Sequence, residues 1–252
     1  MKNNKENPLN PEKVDFFHDF ILFLKHLQKQ PIKRTLTGKI SLSDIKSLIL
    51  KFKQQETIEE FQHFGWKLRR EEELEFLEQI KIIAEMMSVT YKRKGYYGLS
   101  KKGKAFLTKL KPIEQYRDMV LHFWYKVNWG YFSRIGKDIN GVNLAEKLQQ
   151  HQNLIWKTLL AKGTDWLDYK LFCQSLSDYL HLDDYFINTY AQNNKEDPDF
   201  DYELFYKNIV RFGCVELEVK HGKTKWDKKI VRFRSTNLGL YAYHKALTEN
   251  FL

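Results

Sequence analysis

Residues 89–107, VTYKRKGYYGLSKKGKAFL, carry several basic side chains and no acidic one. Arg93 and Lys94 fall at the centre of the stretch, and Lys101, Lys102 and Lys104 follow Ser100. Cations grouped in this way bind phosphate, because each donates hydrogen bonds and neutralises anionic charge. A second group, Lys223, Lys225, Lys228 and Lys229, surrounds Trp226. Basic residues interleaved with an aromatic ring suit phosphate contact combined with stacking. The alternative for both groups is a solvated lysine surface. The whole chain is basic, with 42 Lys and Arg against 32 Asp and Glu and a net charge of +10.

Other chemistry finds little support. The eight histidines are scattered. His18 and His26 lie two helical turns apart, too far to share a metal ion. HLDD, from His181 to Asp184, sets carboxylates beside an imidazole without a second ligand cluster. There is no HExxH, no P-loop and no dinucleotide glycine fingerprint. Cys173 and Cys214 form neither a disulfide framework nor a zinc cluster and read as buried thiols in a reducing compartment. Asp165 and Asp168 straddle Trp166, where they suit the start of a helix. No enzyme activity, metal or cofactor is expected.

The elements that must hold these residues follow from periodicity. The opening MKNNKENPLNPEK has no apolar core of a secretory signal, and residues 1–10 read as a disordered tail. Phe16, Phe17, Phe20, Ile21, Leu24 and Leu27 then share a helical face, ended by Pro31. That stretch includes His18, Asp19, Lys25 and His26 and is too short to span a bilayer, so a cytoplasmic location without membrane contact is expected. Leu42, Ile45, Leu48, Ile49 and Phe52 make a second helix, capped by Ser41 or Ser43. Residues 53–68 read as an irregular connection. A third helix covers about 70–87, on Leu74, Leu77, Ile80, Ile83, Ala84 and Met87.

A hairpin follows. Pairing Val89 with Leu99 and Tyr91 with Tyr97 collects the apolar residues on one face and leaves Arg93-Lys94-Gly95 at the tip. Ser100 then caps a helix three residues ahead of Gly103. Lysines at that helix start oppose the macrodipole, while unpaired backbone N–H groups there attract anions. A long helix is expected over about 112–131, with further helices over 143–161, 165–180, 183–192 and 202–212, the last stopped by Gly213. The acidic stretch NNKEDPDFD reads as a loop.

The pattern then returns. Setting Leu217 opposite Phe233 places Val219 against Val231 and pairs Glu216 with Arg234 and Glu218 with Arg232. Thr236-x-x-Gly239 repeats Ser100-x-x-Gly103. The expected fold is therefore mainly α with two β-hairpins, in the α+β class. Two copies of one unit, 11–111 and 136–252, are joined by a long helix within 112–135.

Three helices, a hairpin and a capped helix resemble winged-helix domains. A narrower resemblance covers about residues 32–110, to the helical tail of bacterial plasmid ORF-three-like proteins. It is carried by Leu36, Thr37 and Gly38 and by Leu99, Ser100 and Gly103. The resemblance implies tandem winged-helix-like domains and no catalytic residues.

One feature opposes ordinary helix-in-groove binding. The helix before the first hairpin would show Glu71, Glu75, Glu78 and Glu85 to solvent against Lys81, and its counterpart opens with DFDYELFYK. Two readings follow. The chain is a non-catalytic nucleic-acid-binding protein, with duplex DNA as ligand and contacts from the hairpin tips and helix starts. Alternatively it is a protein-interaction or scaffold subunit of a prokaryotic assembly, recognised through its acidic helix faces.

Overall fold

Asn10 accepts a hydrogen bond from the Glu12 amide (3.1 Å), and Pro11 opens a 3-10 turn, so the chain enters its first helix with its amides partly satisfied. The computed structural model describes residues 9–133, 141, 143–182, 200–223 and 227–249. Expectations for 1–8, the helix at 183–192 and most of the acidic loop fall outside these. The chain is mainly helical, with two small three-stranded antiparallel sheets, and divides into two compact units, Leu9–Val127 and Asn128–Leu252.

In the N-terminal unit, α1 (Asp15–Lys29) buries Phe16, Phe17, Phe20, Phe23, Leu24 and Leu27. Phe23 takes the inward position expected of Ile21. Ring contacts tie this helix to its neighbours: Phe17 to Tyr116 at 5.9 Å, Phe20 to Phe106 at 6.2 Å and Phe23 to Tyr97 at 5.9 Å. After β1 (Ile32–Lys33), Ser41 caps α2 (Leu42–Ile49).

The region read as an irregular connection contains α3 (Glu56–His63), which buries none of its residues. Its two apolar side chains, Ile58 and Phe61, lie three residues apart and are only half-buried. Its entry is held by the buried Asp19, which accepts from the amides of Lys53 (2.7 Å) and Gln54 (2.9 Å). Burial raises the pKa of the Asp19 carboxyl, opposed by those hydrogen bonds.

Helix α4 (Glu75–Met86) leads to β2 (Thr90–Arg93) and β3 (Tyr96–Leu99). Then come α5 (Lys101–Lys109) and α6 (Pro112–Lys126). The helix read as a connector thus ends at Lys126, buries Tyr116, Met119, Phe123 and Trp124, and belongs to the N-terminal unit.

The C-terminal unit begins with a 3-10 turn, Trp129–Phe132, then α7 (Leu144–Gln150) and α8 (Gln152–Lys162), two helices where one was expected. Next come β4 (Leu167–Asp168), α9 (Tyr169–Leu180) and a π-helix, α10 (Asp201–Val210). The unit closes with β5 (Val215–His221), β6 (Lys228–Ser235) and α11 (Asn237–Thr248). Trp156 on α8 stacks on Tyr243 of α11 at 5.2 Å, and Phe205 of α10 meets Phe233 of β6 at 4.7 Å.

Each hairpin acquires a third strand from upstream sequence, in the orders β1-β3-β2 and β4-β6-β5. Both added strands are two residues long, too short to show alternation.

The junction around each hairpin is built from one set of hydrogen bonds. Ser88 and Gly213 both end a helix in the left-handed region, at φ 57° and 69°. The next amide, of Val89 or Cys214, reaches back to Ala84 (3.0 Å) or Ile209 (2.9 Å). The caps then return: Ser100 Oγ donates to the Ser88 carbonyl (2.8 Å) and Thr236 Oγ1 to that of Gly213 (2.7 Å). The same hydroxyls accept from the amides of Gly103 and Gly239, each at 2.9 Å. One hydroxyl thereby fastens the end of one helix to the start of the next.

Candidate nucleic-acid interface

The first hairpin differs from its expected register by one residue. Thr90 pairs with Leu99, Tyr91 with Gly98, Lys92 with Tyr97 and Arg93 with Tyr96. A two-residue turn, Lys94-Gly95, replaces the three-residue tip, with φ of 50° and 76°. Two positive φ values suit the twist of a tight hairpin. A one-residue slip reverses the facing of every side chain in the slipped strand. Tyr97 stays inside, and its hydroxyl meets Thr90 Oγ1 at 3.1 Å. Lys92 runs along that inner face to Glu85 (2.8 Å). Tyr91 instead lies on the outer face across Gly98, where a Cβ would stand 2.6 Å from the Tyr91 ring.

Arg93 and Lys94 are exposed at the turn, and Lys101, Lys102 and Lys104 are exposed on the first turn of α5. None of the five has a carboxylate within ion-pair distance among the described residues. The tip and the start of α5 lie at opposite ends of the ribbon, about 15 Å apart at ~3.3 Å per residue. Ser100 takes the Gly103 amide, and helix geometry leaves the amides of Lys101 and Lys102 without intrahelical acceptors.

The sequence reading missed Lys33. It lies in β1, opposite Tyr96, and the Arg34 amide donates to the Gly95 carbonyl (2.8 Å). β1 therefore adds cationic side chains beside the tip. The only sequence sign was Pro31 followed by the Thr35–Gly38 turn.

The expected acidic row on α4 is corrected. Glu71 precedes the helix in a 3-10 turn, is buried, pairs with the buried Lys81, and accepts from the Ile40 amide (2.6 Å). Glu72 binds Lys39 at 2.8 Å, with Glu78 3.9 Å from the same ammonium, and Glu85 binds Lys92. The Glu72 carboxyl is held below its usual range, chiefly by the hydrogen bond from Lys39. In α10, Glu203 and Lys207 form a buried pair at 2.8 Å, and Asp201 accepts from the Tyr169 hydroxyl. Periodicity assigned these carboxylates to solvent because Lys and Glu score as polar whether or not they have a buried partner.

The second hairpin keeps the expected ion pairs. Arg232 reaches Glu218 and Arg234 reaches Glu216, each at 2.6 Å, with the expected pairing of Leu217 and Phe233. Val219 faces Ile230 rather than Val231, because a bulge follows Glu218. Trp166 lies 4.8 Å from both guanidinium carbons. Lys228 and Lys229 are inside β6 rather than in the loop, and neither is free of partners. Lys223 is exposed, and its amide donates to Asp227 (3.3 Å). Lys225 and Trp226 lie outside the described residues.

Among the described residues no cluster of His, Cys, Asp and Glu is arranged to hold a metal ion, and no helix is long and apolar enough to cross a membrane. Comparisons with protein-family models, curated proteins and solved structures returned no match to the chain.

Proposed function

We propose that the chain is a non-catalytic nucleic-acid-binding protein that grips the phosphates of duplex DNA, built from tandem winged-helix-like domains at 11–111 and 136–252. Supporting the architecture are the strand orders, in which a short upstream strand completes each hairpin, and the repeated hydroxyl junction. The observation that carries the function is the contrast in charge use. The carboxylates of α4 and α10 include buried or paired ones, whereas Arg93, Lys94, Lys101, Lys102 and Lys104 have no acidic partner among the described residues. Lys94 also holds a left-handed backbone, at a cost of about 1 kcal/mol, where Asn or Gly is favoured.

Binding to a duplex should weaken with salt at a log–log slope of about −0.9 per phosphate neutralised. Replacing Lys101, Lys102 and Lys104 together by Gln should make that slope shallower by about two to three. The variant should be at least as stable as the parent, since cations at a helix start are unfavourable. Fluorescence anisotropy titrations at several salt concentrations measure the slope. An unchanged slope would remove these lysines from the contact surface.

A second reading, as an interaction or scaffold subunit, is favoured by the exposed Phe64 and Trp66 beside α3, stacked at 5.0 Å. It expects a protein retained from lysate in stoichiometric amount after nuclease treatment, and lost with Phe64→Ala/Trp66→Ala.

A further inference from the structure

The outer face of the β1-β3-β2 sheet carries a row that the charge argument alone does not use. Arg93, Tyr96 and Lys33 are consecutive cross-strand partners, so their side chains share one face at strand spacings of about 5 Å. All three are exposed, and Tyr96 retains 44% of its accessible surface. Tyr91, 39% exposed, occupies the next row on the same face, its ring accommodated over the bare Gly98. No carboxylate lies within ion-pair distance of Arg93 or Lys33 among the described residues.

The equivalent face of the other sheet has the opposite chemistry. There Glu216 and Glu218 neutralise Arg234 and Arg232, and Trp166 covers both guanidiniums. The same strand order is closed off in one unit and left open in the other.

We infer that this open face is a stacking platform for an unpaired nucleotide. A base would lie on Tyr96, with its flanking phosphates taken by Arg93 and Lys33. Charge complementarity selects the occupant. Two unneutralised cations on either side of an exposed ring suit a polyanion whose bases are accessible, and a fully paired duplex offers no free base face. The inference rests on the nucleic-acid reading and deepens it: the preferred ligand is a duplex carrying a single-stranded extension.

The experiment compares three probes with the full-length protein: a blunt duplex, the same duplex with a short single-stranded extension, and one whose extension is abasic but carries the same phosphates. The expected result is tighter binding of the base-bearing extension, by about 5- to 150-fold over the abasic one. Tyr96→Ala should abolish that preference and leave blunt-duplex affinity in place, and Tyr96→Phe should retain it. A 2-aminopurine in the extension should be quenched by the parent and by Tyr96→Phe but not by Tyr96→Ala. Equal affinity for all three probes overturns the platform and leaves duplex binding standing. Failure of every probe to bind overturns both.

Discussion

Glu203→Gln is expected to destabilise the C-terminal unit by about 3–5 kcal/mol, because removing one member of a buried ion pair leaves the other charge uncompensated. Glu203 and Lys207 are 0% and 1% exposed, and the Lys207 ammonium also donates to the Phe132 carbonyl at 2.5 Å. Lys207 lies 4.3 Å from the Tyr202 ring centroid as well, so the pair pins the π-helix to the turn at Trp129–Phe132. The paired replacement Glu203→Leu/Lys207→Met should recover most of the loss, because two apolar groups of similar volume need no partners. Hydrogen exchange of amides in α8 and α11 measures the effect without assuming that both units unfold together. A single-variant loss below about 1 kcal/mol would mean that water reaches the ammonium.

Gly239→Ala is expected to cost about 2–3 kcal/mol, although the same change inside an exposed helix gains roughly 1 kcal/mol. A Cβ at Gly239 would stand 2.0 Å from the Cys214 carbonyl oxygen and 2.8 Å from its carbon, and one at Gly103 2.1 Å from the Val89 oxygen. Those oxygens accept from the Thr236 and Ser100 amides, at 3.0 and 2.9 Å, so the backbone cannot withdraw without breaking the junction. Gly103→Ala should behave alike and also disturb the start of α5, where Lys101, Lys102 and Lys104 sit. Chemical denaturation measures both changes, and a gain in stability for either would show that the close approach relaxes freely.

Much of this junction was legible in the residues. Ser or Thr three positions before Gly, at the end of an alternating stretch, identified both capped helices, and the Glu–Arg ladder of the second hairpin followed from charge alternation alone. The first hairpin was read one residue out of register. Its pattern, with tyrosines at 91, 96 and 97, allows either face inward, and the tight Lys94-Gly95 turn with the Thr90–Tyr97 contact selects one. Helix α3 is hard to read because its eight residues offer only two apolar side chains, Ile58 and Phe61, too short a pattern to separate from a loop.

By itself the sequence determined the class of fold, most helices, both hairpins and their caps, because apolar spacing and capping chemistry act between residues near in the chain. Tertiary structure alone decided which charges are buried and which stay at the surface. Glu71, Lys81, Glu203 and Lys207 leave solvent only because folding brings compensating partners to them, and Lys33 joins Arg93 and Tyr96 only through pairing of strands distant in the chain. Glu203 and Lys207 are four residues apart and could meet on an exposed helix face, but their burial, like membership of a sheet edge, depends on segments distant in the chain, such as the Phe132 carbonyl that Lys207 also reaches.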